Sequence, residues 1–181
     1  MNARTTLLAC ALAVPTAFAG TAFAGSNKVA QQDAQWLKNI HQTSLAAIKA
    51  GKAAKKNGNS PLVNKVAEKI IADDQVLDKK VKMLAKDEGV DLPNSPSTKQ
   101  QSELQTVKSK NGTEFDKLWT KTMLKAELKA GNQAQAEVAK GKSHKVKKLA
   151  KTALPAINLE QNMLQHALAK IKSTTKASVS K

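Results

Sequence analysis

Four side chains able to hold a metal or carry a proton, His41, Asp74, Glu127 and Glu160, fall one per predicted helix, each near the middle of its helix. In an up-down bundle the midpoints stack in one layer, so the four can meet in the interior. Three carboxylates and an imidazole in low dielectric need compensation. Protonation, pairing with His41 or a lysine, or a divalent metal would each supply it. Oxygen and imidazole ligands suit zinc, iron or manganese, whereas copper(I) prefers sulfur. Ferritin-type di-iron chemistry needs a Glu-x-x-His step on two helices, and the chain has none. Three readings stay open for these residues: a satisfied hydrogen-bond network, side chains rotated toward solvent, or a metal centre.

The elements that position these residues follow from the apolar period, which is helical throughout. The first helix is expected from Lys28 to Lys56, with Trp36, Leu37, Ile40, Ser44, Leu45 and Ile48 along one side. Asn57-Gly58-Asn59 stops it, and Ser60 with Pro61 starts a second helix that runs to Glu88. A loop with Pro93 and Pro96 leads to a short crossover helix, Thr98 to Ser109. Thr113 caps a third long helix ending at Lys140, and the fourth spans Ser143 to Ile171, with Pro155 implying a kink. Asp74 lies four residues after Ile70 and three before Leu77; Glu160 lies three after Ile157 and four before Leu164. Both sit within apolar stripes. His41, four from Leu37 and four from Leu45, and Glu127, four after Met123, lie at stripe edges. The reading is an all-α, up-down four-helix bundle with no internal repeat.

Residues 1–24 read as a secretory signal: Arg4, a short apolar run from Leu7 to Val14, and A-x-A sites ending at Ala19 and Ala24. Residues 25–172 form one bundle domain, and residues 173–181 a disordered basic tail. Cys10, the only cysteine, departs with the signal, so the mature chain has no disulfide, thiol nucleophile or thiolate metal site. The product is expected as a monomer, secreted, periplasmic or attached to the cell wall, with no transmembrane span.

The net charge is +16, and lysine supplies 29 of the 30 basic residues. Residues 25–104 carry 13 lysines against 9 acids, and residues 105–181 carry 16 against 5. Such a field attracts an anionic cell-wall polymer or another polyanion. Lys117, Lys121, Lys125 and Lys129 recur every four residues, and Lys145, Lys147, Lys148 and Lys151 extend the basic surface. The strip reads as a docking site for a polyanion or as a solvated face. Aromatic residues do not interleave, so base stacking is unsupported and any DNA contact would be through phosphates alone. No Gly-rich phosphate loop, H-E-x-x-H or C-x-x-C occurs, and His144 and His166 have no triad partners nearby in sequence. No residue is nominated as catalytic.

The segments Asp33 to Leu37 with His41, Leu45 to Lys52, Leu77-Asp78, Gly89 to Pro93, Phe115 to Trp119 and Leu154 to Ile157 occur in a characteristic order. Together, over residues 30–170, they resemble a bacterial family of exported proteins of unknown function, often labelled "predicted outer membrane protein". The resemblance implies a ferritin-like helical bundle. It also implies an inward polar layer, because the family commonly has histidine at the positions of Asp74, Glu127 and Glu160 and an acid at that of Ala47. This chain would carry harder, more acidic ligands there.

Overall fold

In the computed structural model, which describes residues 29–179 with side-chain surroundings to Thr174, the helical period becomes five helices and, among the described residues, no strand. They are α1 (Gln31–Asn57), α2 (Pro61–Asp87), α3 (Thr98–Lys108), α4 (Gly112–Lys140) and α5 (His144–Val179). The signal segment 1–24 lies outside the described residues. Helix ends follow local chemistry. Ser60 accepts from the Val63 amide with Pro61 in the first turn. Ser97 and Gln100 exchange side chain-to-backbone bonds in a capping box before α3. At the end of α2, Gly89 turns into the left-handed region (φ 66°). Its amide returns to Lys86 O and that of Val90 to Ala85 O, a Schellman closure. Nothing of this kind stops α5 after Ile171: no Gly or Pro follows, and the helix continues to Val179 across the segment expected to be a tail.

The four long helices pair as hairpins, α1 with α2 and α4 with α5, and the hairpins meet through α1·α4 and α2·α5. Two aspartates fix their directions. Asp116, early in α4, accepts from the Asn59 and Ser60 amides (Ser60 N, 2.8 Å), where α1 gives way to α2. Asp33, early in α1, accepts from the Lys142 and Ser143 amides at 2.8 and 2.9 Å, where α4 gives way to α5. Each carboxylate satisfies the orphan donors that open a neighbouring helix, at its positive end. The start of α4 thus lies at the end of α1, and α2 and α4 run parallel. The crossover spans the bundle's length, and its helix α3 packs on α1 and α4. Among the described residues no helix is long and apolar enough to cross a membrane.

These two latches reveal what the sequence reading missed. Asp33, Trp36, Gly58, Ser60 and Val63 recur as Asp116, Trp119, Gly141, Ser143 and Val146, each 83 positions on (116 − 33; 143 − 60). The expectation of no internal repeat is overturned: α1–α2 and α4–α5 are two copies of one hairpin. The matches that carry the shared geometry are at cap, glycine and core positions. Both glycines are required by close approach. A Cβ at Gly58 would lie 2.6 Å from Ala54 O and 3.0 Å from Asp116 Oδ1; one at Gly141 would lie 2.6 Å from Glu137 O and 2.8 Å from Asp33 Oδ1.

The apolar core is split in two. One cluster holds Trp119, Phe115, Ile70, Met123 and Leu164. The other holds Trp36, Leu37, Val81, Ala130 and Ile157. Trp119 Nε1 donates to Ala50 O at 2.9 Å, tying α4 to α1. Replacing Asp116 with Ala strands two amides at the start of α2 and should destabilise the fold by about 2 kcal/mol, as lost charge-assisted bonds do. Urea denaturation of Asp116→Ala and Asp33→Ala should give similar losses, and a midpoint unmoved in either would contradict the latch.

Candidate functional site

A polar layer separates the two apolar clusters. On α2, Asp74 lies between Ile70 of one cluster and Leu77 of the other; on α4, Glu127 lies between Met123 and Ala130. On α5, Glu160 lies between Ile157 and Leu164. The same spacing on α1 places Ser44, between Ile40 and Ala47, in the layer. All four are buried. The structure therefore brings three of the four sequence candidates together and supplies a hydroxyl from α1 in place of the imidazole.

His41, one turn away from Ser44, is buried and taken at both ring nitrogens. Nδ1 meets Asp78 Oδ1 at 2.5 Å, and Nε2 donates to Pro93 O at 2.8 Å. Asp78 also holds Lys82 at 2.7 Å. Pro93 O can only accept, so the proton on Nε2 is fixed and neither nitrogen is free to face the carboxylates. With Gln42 Nε2 donating to Ser95 O at 3.1 Å, His41 fastens the crossover loop to α1.

The layer is rich in acceptors and poor in donors. Asp74 Oδ2 and Glu160 Oε1 are buried without a hydrogen-bond partner. Burial pushes Asp74 up to about 7, eased by a hydrogen bond from the Ser44 hydroxyl and reinforced by the charges of Asp73 and Asp78. Burial and then Asp74 raise Glu127 to about 8, with a hydrogen bond from Glu160 acting the other way. Burial, followed by Glu127, Asp74 and Asp73, pushes Glu160 up to about 10. The compensation at neutral pH is thus protonation, most strongly of Glu160 and then of Glu127. Among the described residues, no three His, Cys, Asp or Glu side chains stand at the spacing that holds a metal ion. Beside the layer, α2 and α5 part to leave a cleft of about 150 Å³ lined by all three carboxylates.

A second carboxyl pair went unnoticed in the sequence. Glu137 is buried against Asp33, one Glu137 oxygen unpartnered, and is raised to about 7 by burial, then by Asp33's hydrogen bond and charge. Asp33 is lowered: burial opposes its charge, but the Glu137 hydrogen bond, the Lys142 and Ser143 amides and Lys147 outweigh it. At the matching latch Asp116 stays raised, because burial there outweighs the Asn59 and Ser60 amides alone. The signal was available as Glu137 four residues before Gly141, but only the fold shows what it meets.

The lysines divide between two surfaces. Lys117, Lys121, Lys125 and Lys129 are all exposed on α4. Lys125 makes a loose 3.9 Å pair with Glu103 of α3, and with Lys129 borders a polar groove between α1, α3 and α4. On α5, Lys148 and Lys151 are exposed and Lys145 leans toward Glu88 at 3.9 Å, beside the end of α2. Lys147 is half-buried, in the field of Asp33 and Glu137. The two sets do not merge into one ridge.

A family model described as a domain of unknown function (DUF4142) matches residues 19–167. No curated protein matches the chain. A crystal structure of a DUF305 fragment from Deinococcus radiodurans is similar in fold, with TM-score 0.70 and 11% identity over 78% of this chain and 98% of that one. At that identity the likeness speaks for the helical fold alone.

Removing the His41 side chain frees the crossover loop and leaves buried Asp78 with Lys82 alone. His41→Ala should cost about 2–3 kcal/mol, measured by urea denaturation, whereas a surface-histidine control, His166→Ala, should cost almost nothing. The raised carboxyls give a pH dependence. Their contribution to stability is full below their ordinary values of 3.8 to 4.5 and is lost as pH rises through about 7, 8 and 10. In amine-free, chelator-treated buffer the urea midpoint should fall from pH 5 to pH 9, and Glu160→Gln should flatten that fall. A wild-type midpoint that rises over this range would contradict the assignment.

Proposed function

We propose that this chain, which belongs to the DUF4142 family, is an exported helical bundle of the cell envelope that binds anionic polymer through the lysines of α4. The observation that carries the reading is where its acids go. Of the five acids in residues 105–181, Asp116, Glu127, Glu137 and Glu160 are buried, which leaves Glu114 as the exposed one. The sixteen lysines of the same stretch are therefore hardly diluted at the surface. Burial also holds Glu127, Glu137 and Glu160 toward their neutral forms, so the effective charge of this hairpin exceeds its formal one.

Within the basic surface, Lys117, Lys121 and Lys129 make no ion pair among the described residues and stand along about 18 Å of one helix. That is an extended row of mobile point charges, suited to a repeating polyanion. Lysine lacks the bidentate fork that selects one phosphate or carboxylate geometry, so the binding is salt-sensitive and tolerant of polymer type. The groove beside Lys125 and Lys129, edged by the amides of Asn39, Gln42, Gln100 and Gln133, adds neutral hydrogen-bonding groups for a hydroxylated backbone. Export rests on the expected leader in residues 1–24.

Poly(glycerol phosphate) on beads tests the proposal. The protein should be retained at low salt and released by roughly 0.5 M NaCl through screening. A variant with Lys117, Lys121, Lys125 and Lys129 changed to Gln should lose at least tenfold in affinity, while one with Lys52, Lys55, Lys56 and Lys65 changed to Gln should lose far less. Retention unchanged at high salt, or equal losses in both variants, would refute it.

A further inference from the structure

We propose that the cleft between α2 and α5 binds a small alkylammonium ion, with Asp74, Glu127 and Glu160 taking the ammonium group and Leu77, Ala153 and Ile157 the carbon chain. The lining of this cleft includes none of Lys117, Lys121, Lys125 and Lys129.

The first observation is the donor deficit. Two carboxyl oxygens of the cleft lining, Asp74 Oδ2 and Glu160 Oε1, are buried without a hydrogen-bond partner. An ammonium group carries three N–H donors and a positive charge, which matches both shortfalls at once. The local lysines do not fill the role. Lys69 pairs with Asp73 and Lys82 with Asp78, while Lys80 is exposed at the rim.

The second observation is the shape and lining of the cleft. Its volume, about 150 Å³, is that of cavities known to admit a guest of about six heavy atoms. Carboxylates occupy one part, and Leu77, Ala153 and Ile157 line another. Apolar walls cannot complete the coordination shell of a hard metal ion. No trio of metal-capable side chains stands at coordination spacing among the described residues. A hydrocarbon chain ending in an ammonium group uses both parts of the lining.

Space there comes from the repeat. The α5 residues Ala153 and Ala156 stand where α2 has Ile70 and Asp73, 83 positions earlier, so α5 is slimmer at the cleft than α2. Pro155 lies between them and removes one backbone donor from the ladder.

Binding must displace protons from the carboxyls, so affinity rises with pH while the amine, like a lysine side chain, stays charged to about pH 10. The titratable groups that line the cleft are Asp73, Asp74 and Lys80 from α2, Glu127 from α4 and Glu160 from α5, and the charge of Asp78 reaches Asp74 from outside the lining. The carboxyls of Asp74, Glu127 and Glu160 are the ones raised into the working range. With a net charge of +16 the protein repels amines in general, so stoichiometric amine binding reports a specific site.

The test is calorimetric titration of the purified protein with n-pentylamine at pH 6.0 and pH 8.5, in buffer free of other amines, with 1-pentanol, zinc and manganese as alternatives. One-to-one binding of the amine, at least tenfold tighter at pH 8.5, is expected, with none of the alcohol. Glu160→Gln and Asp74→Asn should each weaken it at least tenfold while keeping wild-type helicity. Both replace a buried carboxyl by a neutral amide of the same size, so neither should unfold the protein. Absence of amine binding, equal affinity at both pH values, retention in both variants, or stoichiometric metal binding that excludes the amine would overturn the proposal. Polymer retention is measured separately and does not depend on the outcome.

Discussion

Each half of this bundle depends on one aspartate supplied by the other. Asp33 closes the start of α5 and Asp116 the start of α2, both through backbone amides that would otherwise be orphaned. The bond requires the donor turn to pass against the carboxylate, which is why Gly58 and Gly141 precede those turns. It also fixes the antiparallel setting of α1 and α4, so the crossover has to travel the whole bundle. Once those ends are fixed, the midpoints of the four long helices fall at one level, and whatever polar residues stand there are forced together.

The duplicated hairpin explains why the polar layer is lopsided. Asp74 corresponds to Ile157, Glu127 to Ser44 and Glu160 to Leu77, each across the same 83-residue shift. Each carboxylate thus has an apolar residue or a hydroxyl as its own counterpart in the repeat. Two full copies of the layer would carry twice the acids into one low-dielectric slice, and each would have to be held protonated or paired. The same asymmetry applies at the latches, where Glu137 stands beside Asp33 while its counterpart Ala54 is a plain core residue.

Burial of acids has a surface consequence. A hairpin that takes four of its five acids inside cannot use them to neutralise its lysines. The interior cost of carrying carboxylic acids and the exterior excess of ammonium groups are two views of one distribution of charge. Helix α4 shows it most plainly, with Glu127 and Glu137 turned inward and Lys117, Lys121, Lys125 and Lys129 turned outward.

The chain by itself determined the helices. Period, capping residues and breakers act within a few positions, so the starts at Pro61 and Thr98 and the inward setting of Asp74 and Glu160 were legible from spacing alone. The first three helices of the pattern end within a residue of expectation, since Gly and Asn breakers act locally. Tertiary structure decided what those positions meet. His41 was placed near the right level but at a stripe edge, where a rotation of one turn separates a ligand from a loop anchor, and Asp78 and Pro93 took it. Asp33 and Asp116 looked like ordinary first-turn acids; their amide partners lie 110 and 56 residues away in the chain. The repeat was present as Asp-x-x-Trp and Gly-x-Ser at matched distances, too sparse to stand out until the contacts showed which residues are equivalent. Local energetics writes a helix into its own sequence, whereas the partner of a buried polar group is chosen by packing.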